Sequence, residues 1–215
     1  MNQLQNTIIT IWQEIKNKAE TQVQIFSSEK AICFDYAWII KEYYKNNVKL
    51  DFEVSLFDDF SDGCFLDLLA YLNYSDKAVR VGFEFKFPKS SASGNSNQTQ
   101  TRIKIINDIK RLTWLVQNDK IDLGCFLCVT DQLPYLNKGS KRENVDFATY
   151  HRTKYLQGAF FPTHVSKSKE KMSSTNDIEF FWTNIETDSL GKHYIKRNAK
   201  FAWLKPIFIK MKTKN

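Results

Sequence analysis

Apolar side chains between residues 6 and 26 recur at steps of three and four residues, which is the spacing of one face of an α-helix. That face comprises Ile8, Trp12, Ile15, Ala19, Val23 and Phe26. Ser27 or Ser28 then provides a cap for a second helix, which we predict from Glu29 to about Tyr44. The buried stripe of this second helix comprises Ile32, Ile39 and Tyr43. The pattern therefore predicts two helices before the first strand.

From residue 50 the pattern changes to an alternation of apolar and polar residues, which is typical of half-buried strands. Strands are predicted at residues 50–56, 64–72 and 78–87, and a turn-forming segment joins each strand to the next. Because both connections are short, the three strands are expected to form an antiparallel meander.

A helix and a buried strand are predicted after the meander. Residues 89–98 are polar and mostly small, and they are interpreted as a mobile loop. Thr99 or Thr101 can cap the helix that follows. The core stripe of that helix comprises Ile105, Ile109, Leu112 and Val116. Residues 123–129 form a short, wholly apolar run, which predicts a strand in the middle of a covered sheet.

The order of these elements predicts an α/β fold, in which helices flank a mixed sheet. Its core, over about residues 28–130, has the order helix, three-strand meander, helix, strand, and an N-terminal helix precedes it. Beyond Asp131 the pattern weakens, with possible strands at residues 178–182 and 201–210. No linker or internal repeat divides the chain, so a single domain is predicted, with a C-terminal elaboration over about residues 131–215.

Two charged residues share one face of the third predicted strand. Strict alternation places Glu84 and Lys86 on one face and three phenylalanines on the other. The second strand carries one acid, Asp67, inside an apolar run, where a lone carboxylate is costly to bury without a cation or a donor. Antiparallel pairing could bring Asp67 beside Glu84 and Lys86. Two close carboxylates repel each other, and a divalent metal is the usual resolution.

The spacing from Asp67 to the Glu84-Phe85-Lys86 segment, together with the order of elements, resembles the PD-(D/E)XK nuclease superfamily, which includes many restriction endonucleases. The resemblance covers about residues 28–130, and Leu66 stands where the motif's name has Pro. It implies a restriction endonuclease-like fold and metal-dependent hydrolysis of phosphodiester bonds in DNA.

The resemblance also implies a role for each residue of the motif. Asp67 and Glu84 would bind Mg²⁺ through their carboxylates, with the Phe85 carbonyl as a further ligand. Lys86 would orient or deprotonate the attacking water and offset charge in the transition state. Oxygen ligands suit Mg²⁺, for which Mn²⁺ could substitute, and the sequence contains no competing cluster of His or Cys.

Further candidates lie around this motif. Glu29 corresponds to a position where many family members carry an acid that supports the metal site, although a Glu in a first helical turn also interacts favourably with the helix dipole. Asp62 would replace Asp67 as a ligand if the second strand began earlier, and is otherwise a turn residue. Arg102 and Lys104 lie on the helix that borders the cleft in the resembled family and are predicted to contact DNA. The alternative is an ordinary charged surface stripe.

The net charge of +7 is distributed unevenly along the chain. Residues 1–130 contain 15 basic and 16 acidic residues, whereas residues 131–215 contain 16 basic and 8 acidic residues. A basic half suits the phosphate backbone of nucleic acid, and Lys196, Arg197 and Lys200 are the predicted contacts there. The alternative interpretation is a solvated surface that keeps the protein soluble.

Cysteine usage and hydropathy predict the compartment. The four cysteines follow no secreted disulfide spacing, so they are expected to be reduced thiols. Cys125 and Cys128 have the spacing of zinc or redox sites, but on a strand their side chains face opposite sides, which favours core thiols. No apolar segment approaches the roughly 18 residues of a membrane span, and the N-terminus lacks the basic start of a signal peptide. A cytoplasmic protein without membrane contact is predicted.

The resulting hypothesis is a Mg²⁺-dependent endonuclease that cleaves DNA, expected to be double-stranded, in a restriction or other defence role. A palindromic duplex target would imply a two-fold homodimer. The loop at residues 89–98 follows the catalytic strand and is expected to order when substrate binds. The hypothesis from a different class is a non-catalytic nucleic-acid-binding protein on the same or another α/β scaffold.

Overall fold

Helices cover both faces of one central sheet in the computed structural model of the protein, which describes residues 2–23, 26–55, 65–74, 77–90, 97–139, 145–162 and 172–211. Helices α1 (Asn2–Glu20) and α2 (Glu29–Tyr44) pack on one face, and α3 (Gln98–Gln117) packs on the other. Single 3₁₀ turns occur at Lys45–Asn47 and Leu133–Tyr135. The strands are β1 (Val48–Val54), β2 (Leu66–Tyr74), β3 (Lys77–Lys86), β4 (Leu123–Thr130), β5 (Thr153–Tyr155), β6 (Ile178–Phe180), β7 (Trp182–Thr183), β8 (Ile185–Thr187), β9 (His193–Ile195), β10 (Ala202–Leu204) and β11 (Ile207–Ile209).

The main sheet is mixed and mostly antiparallel. Over the described ranges it has seven strands in the order β1-β2-β3-β4-β10-β7, and β11 also pairs with β4. β1, β2 and β3 form the predicted antiparallel meander. β3 and β4 are parallel, and α3 makes the crossover between them. The predicted α/β class and the order helix, three strands, helix, strand are confirmed.

Two hydrophobic cores lie on the two sides of this sheet. The first is built by α1 and α2 against the sheet, and the second by α3 and the segment after residue 131. β4 contributes to both cores, since Cys125 and Leu127 belong to the first while Phe126 and Cys128 belong to the second. Every residue of β4 is buried, which confirms the prediction of a central, covered strand.

The segment after residue 131 completes the sheet. β10 and β11 both pair with β4, and β7 extends the sheet beyond β10. Trp203 belongs to the first core and Trp182 to the second. The indole N–H of Trp12 in α1 donates to the Leu204 carbonyl at 2.9 Å, which joins the first helix to β10. The segment after residue 131 therefore contributes buried core residues as well as exposed surface residues.

The ends of α1 and α2 depart in detail from the sequence predictions. α1 ends at Glu20, so Val23, predicted to lie on its buried stripe, is 75% exposed. Tyr43, predicted to be buried on α2, is also exposed. Ser28 caps α2 as predicted, its hydroxyl accepting from the Ala31 N–H at 3.2 Å. Over the described ranges, no helix has both the length and the apolar character needed to cross a bilayer.

α3 begins earlier than predicted because a different residue caps it. The side chain of Asn97 accepts from the Gln100 N–H at 3.1 Å, so the helix begins at Gln98 and the predicted caps Thr99 and Thr101 lie inside it. Asn satisfies a free N–H of the first turn as well as Thr does. The predicted core stripe of this helix is buried at all four positions.

Each of the two C-terminal strands predicted from the sequence is divided in two. The run at residues 178–182 becomes β6 and β7, which separate at Phe181 and join different sheets. The run at residues 201–210 becomes β10 and β11, which separate at Lys205 and Pro206. Pro206 has no backbone N–H to donate to a ladder, so a continuous strand is interrupted there.

Gly124 lies in β4 at a point where two neighbouring elements approach the strand closely. A Cβ at this position would lie 3.1 Å from the Leu112 Cβ and 3.3 Å from the Ile209 Cβ. Both atoms are held near the backbone, so Gly124→Ala is expected to lower the free energy of unfolding by about 1–3 kcal/mol. Urea denaturation followed by circular dichroism measures this change. An unchanged midpoint would contradict the close packing of α3 and β11 on β4.

Candidate active site

Antiparallel pairing of β2 and β3 brings Asp67 beside the Glu84-Phe85-Lys86 segment. In the register of the two strands, Leu68 is opposite Phe83. One step further along, the Asp67 carboxylate accepts a hydrogen bond from the Phe85 N–H at 2.7 Å. The lone acid of the apolar strand thus meets a donor, as the cost of burying it requires.

The alternation predicted for β3 is present in the structure. Phe83, Phe85 and Phe87 belong to the first core, on the side of α1 and α2. Glu84 and Lys86 form ion pairs with residues of α3, on the opposite side. One short strand therefore presents an apolar face to two helices and a charged face to the third.

Glu84 is fully buried and is bound on one side only. Its Oε1 accepts from Arg111 Nε at 3.2 Å and from Arg111 Nη2 at 2.9 Å. Its Oε2 is buried and has no hydrogen-bond partner among the described residues. Burial raises the pKa of Glu84 well above its usual range, Asp108 raises it further, and Arg111 opposes both.

Lys86 is the cation at the centre of the charged face. Its Nζ lies 2.9 Å from Asp108 Oδ2 and 3.4 Å from Glu29 Oε2, and it donates to the Phe85 carbonyl at 2.9 Å. Burial lowers the pKa of Lys86, but the carboxylates of Asp108, Glu29, Glu84 and Asp67 outweigh burial, so the pKa is raised above its usual value. Lys86 is therefore held as an ammonium ion.

Glu29 joins α2 to the end of β3. Its Oε2 accepts from the Phe87 N–H at 3.1 Å and faces Lys86. It is also the first residue of α2, where a carboxylate interacts favourably with the helix dipole. Glu29 therefore belongs to the charged cluster around Lys86 as well as to the first turn of α2, and its support of a metal site stays a prediction.

Asp108 and Arg111 complete this cluster, and the sequence did not assign them to it. Asp108 is buried, and its Oδ1 lies 2.5 Å from Arg111 Nη2. The sequence carried a signal for Asp108, since position 108 falls on the same helical face as Ile105 and Leu112. An acid on an apolar stripe needs a buried partner, and Lys86 and Arg111 are those partners.

Two openings meet at Glu29. The aromatic cavity, of about 310 Å³, is lined by Glu29, Lys30, Cys33, Phe34, Phe52, Glu53 and Asp67. The basic cleft, of about 370 Å³, is lined by Glu29, Lys86, Phe87, Pro88, Lys89, Thr101, Lys104, Gln132 and Tyr135. Asp67 therefore opens to one side of the site and Lys86 to the other. Lys104, a predicted DNA contact, is exposed and borders the basic cleft.

The prediction that Arg102 contacts DNA from the surface is wrong. Arg102 is 1% exposed, and its guanidinium donates to Thr149 Oγ1 at 2.8 Å and to the carbonyls of Pro134 and Asn137. Burial lowers the pKa of Arg102. The reason is that α3 is covered on both sides, so part of its charged stripe points into the protein and not into solvent. Arg102 ties α3 to the segment after β4.

The predicted contacts of the basic C-terminal part are exposed. Lys196, Arg197 and Lys200 lie between β9 and β10, and the Lys200 ammonium lies 5.3 Å from the centre of the Phe201 ring. The structure leaves their side chains accessible to a partner. The fallback ligand Asp62 and residues 91–96 of the predicted loop lie outside the described residues.

The donor set around Asp67 and Glu84 matches Mg²⁺ in chemistry. Both side chains supply hard oxygen ligands, the Phe85 carbonyl is adjacent, and Glu84 Oε2 is a buried oxygen that lacks a partner in the described structure. In those same ranges, no three side chains of His, Cys, Asp or Glu converge on one point. Mg²⁺ in proteins commonly binds one or two carboxylates and keeps several water ligands. Two carboxylates and a carbonyl are therefore enough protein ligands for this ion.

The described cysteines are core residues, as predicted. Cys33, Cys125 and Cys128 are buried and unpaired by disulfides. Cys125 and Cys128 belong to different cores, on opposite faces of β4. Burial raises the pKa of the Cys33 thiol to about 12, and it raises the pKa of Cys125 and of Cys128 well above the usual value. The CxxC spacing is therefore a consequence of an apolar strand.

Comparisons with protein-family models, with curated proteins and with solved structures found no match to this chain. The structure itself shows an α/β architecture with a mixed, mostly antiparallel sheet flanked by helices. The restriction endonuclease-like fold and the nuclease activity stay predictions, which rest on the motif and on the site geometry.

Proposed function

We propose that this protein is a metal-dependent endonuclease that hydrolyses phosphodiester bonds in DNA. One observation carries the proposal, namely that β2–β3 pairing sets Asp67 against Phe85 while the neighbouring Glu84 keeps a buried oxygen that has no hydrogen-bond partner among the described residues. An unsatisfied buried carboxylate oxygen is costly, and a bound cation is a direct way to offset that cost.

Asp67, Glu84 and the Phe85 carbonyl would hold Mg²⁺, or Mn²⁺ in its place. The metal would supply Lewis-acid polarisation of the phosphate and a lowered pKa for bound water. Arg111 and Asp108 hold the carboxylate of Glu84 and the ammonium of Lys86 in place. Because these side chains are already held in place, their reorganisation during the reaction costs little free energy.

The role of Lys86 in this proposal is that of a cation. In the metal-free protein, surrounding carboxylates raise the pKa of Lys86 above its usual value, which favours its ammonium form. A protonated lysine orients a water oxygen and offsets negative charge at the phosphate, but it does not accept the proton of the attacking water. Of the two roles that the family resemblance offered, the metal-free protein therefore favours the first.

DNA would reach this site through the basic cleft and along other exposed basic side chains. Lys104 and Lys89 border the cleft that contains Lys86, and further along the chain Lys196, Arg197 and Lys200 are exposed. Lysine contacts to phosphate position DNA without reading its sequence. A restriction or defence role, and a homodimer on a palindromic target, belong to the same proposal by analogy with restriction endonucleases.

Incubation of supercoiled plasmid with the purified protein tests the activity directly. Cleavage is expected with Mg²⁺ or Mn²⁺ and is expected to stop when EDTA removes the metal. Lys86→Ala is expected to lower the cleavage rate by about 10²-fold or more while the protein still binds DNA. Discrete fragments would indicate a restriction enzyme, and a smear would indicate a nonspecific nuclease. Cleavage that persists in EDTA would contradict metal dependence.

A non-catalytic DNA-binding protein is the second candidate, and one observation favours it. Arg111 already neutralises Glu84, and Lys86 already occupies the Phe85 carbonyl, so the cluster is partly satisfied by its own cations. In that case plasmid would stay intact in Mg²⁺ and in Mn²⁺ while a gel-shift assay showed binding. That pair of results would replace the nuclease proposal.

A further inference from the structure

The aromatic cavity lies directly beside the proposed catalytic acids, yet neither the motif nor the proposed chemistry uses its aromatic wall. Asp67 and Glu29 line this cavity together with Phe34 and Phe52. Its volume of about 310 Å³ falls within the range of small-ligand sites. If a metal bound by Asp67 held the phosphate of a nucleotide, the neighbouring base would lie on the side of the cavity that contains these rings.

The two phenylalanines present their rings to solvent. Phe34 is 59% exposed and Phe52 is 37% exposed, and their ring centres lie 5.1 Å apart at an interplanar angle of 35°. Phe34 comes from α2 and Phe52 from β1, so two rigid elements hold the pair. Large exposed rings at the edge of a cleft are an established platform for stacking nucleobases.

Each of the three carboxylates that line the aromatic cavity has a hydrogen-bond or ion-pair partner. Glu53 pairs with Lys30 at 2.7 Å, Glu29 pairs with Lys86 at 3.4 Å, and Asp67 accepts from the Phe85 N–H at 2.7 Å. Lys30, the partner of Glu53, is itself exposed and lines the same cavity. An uncharged base can therefore enter this cavity while its phosphate lies toward the proposed metal ligands.

We propose that the aromatic cavity is a subsite for one nucleobase, stacked on Phe34 and Phe52 next to the phosphate that is cleaved. The inference rests on the proposed nuclease function and adds a substrate class to it. A base inside a duplex has no free face, because its neighbours cover both faces. The subsite therefore takes a nucleotide that is unpaired beside the scissile phosphate, as in a single strand or where a base is flipped out of a duplex.

Fluorescence anisotropy with two labelled oligonucleotides tests this subsite. The probes are a twelve-nucleotide single strand and a blunt duplex of the same sequence, each measured in Ca²⁺, which takes oxygen ligands without the strict octahedral geometry of Mg²⁺. Phe34→Ala and Phe52→Ala are each expected to weaken single-strand binding by about 5- to 100-fold. Binding of the blunt duplex is expected to change by less than about twofold.

Trp38→Ala is the matched control. Trp38 is also a largely exposed aromatic residue on α2, one turn beyond Phe34, and it does not line the aromatic cavity. Its removal is expected to leave binding of both probes unchanged. Equal losses for Trp38→Ala and Phe34→Ala would overturn the proposal, and so would single-strand binding that survives both phenylalanine substitutions.

Two further measurements distinguish the base subsite from a dimer interface and from failure of the proposed nuclease activity. A dimer that dissociates on Phe34→Ala in sedimentation experiments would show that a second copy of the chain occupies the cavity, which overturns the base subsite. Base-dependent binding without any cleavage in the wild-type protein would refute the nuclease proposal and retain the subsite.

Discussion

Glu84→Gln is expected to reduce Mg²⁺-dependent DNA cleavage by about 10³-fold, which corresponds to roughly 4 kcal/mol of transition-state stabilisation. Gln has nearly the same shape as Glu, so the packing against α3 persists and Arg111 can still donate to the amide oxygen. The change removes the negative charge and one of the two oxygens. Plasmid cleavage under saturating Mg²⁺ measures the rate, and circular dichroism verifies that the fold is retained.

Glu179→Gln provides a control with the same chemistry in another place. Glu179 also pairs with an arginine, Arg152, at 3.1 Å, but it lies on β6, away from the motif. Its substitution is expected to leave the cleavage rate within about twofold of wild type, since partly exposed ion pairs contribute little. Equal activity of Glu84→Gln and Glu179→Gln would remove Glu84 from the proposed mechanism.

Arg102→Ala is expected to change stability and Lys104→Ala is expected to change DNA binding, although the two residues are only two positions apart on α3. Arg102→Ala leaves the carbonyls of Pro134 and Asn137 without their donor and creates a cavity, so the free energy of unfolding should fall by about 3 kcal/mol or more. Lys104→Ala should not change stability. It should lower the slope of log affinity against log salt concentration for DNA by about 1.

Urea denaturation and DNA binding across a salt series distinguish these two outcomes. Arg102→Ala should keep the wild-type salt slope under conditions in which it is folded, because its guanidinium contacts the protein and not phosphate. Arg102→Met is a second variant, which fills most of the volume without donating hydrogen bonds. A reduced salt slope in either Arg102 variant, with unchanged stability, would restore Arg102 as a DNA contact.

Much of the fold was predictable because its core elements have strong and regular apolar periods. The meander, the stripe of α3 and the wholly apolar β4 all appear where the pattern indicated. The C-terminal strands were poorly predicted because they are only two or three residues long, too short for a period to emerge. Their positions depend on pairing with β4, which lies far away in sequence, and no local pattern encodes that pairing.

The candidate site was predictable only in part for a similar reason. Strand alternation sufficed to place Glu84 and Lys86 on one face, because that rule is local. The position of Asp108 on the apolar stripe of α3 indicated burial, but its partner Lys86 lies on another element, and local periodicity does not show which element a helix face meets. The same uncertainty explains the error at Arg102, since sequence alone does not show which side of α3 is covered.

The pairing of β10 and β11 with β4 affects how the chain can fold during synthesis. β4 ends at Thr130, whereas β10 begins at Ala202, so the ribosome must add about 70 residues before the antiparallel neighbours of β4 exist. At typical translation speeds this takes roughly 4–14 s. During that interval one edge of the apolar strand β4 has no partner strand. The unpaired backbone groups of this edge make the nascent chain prone to edge-to-edge association and a natural client for a chaperone.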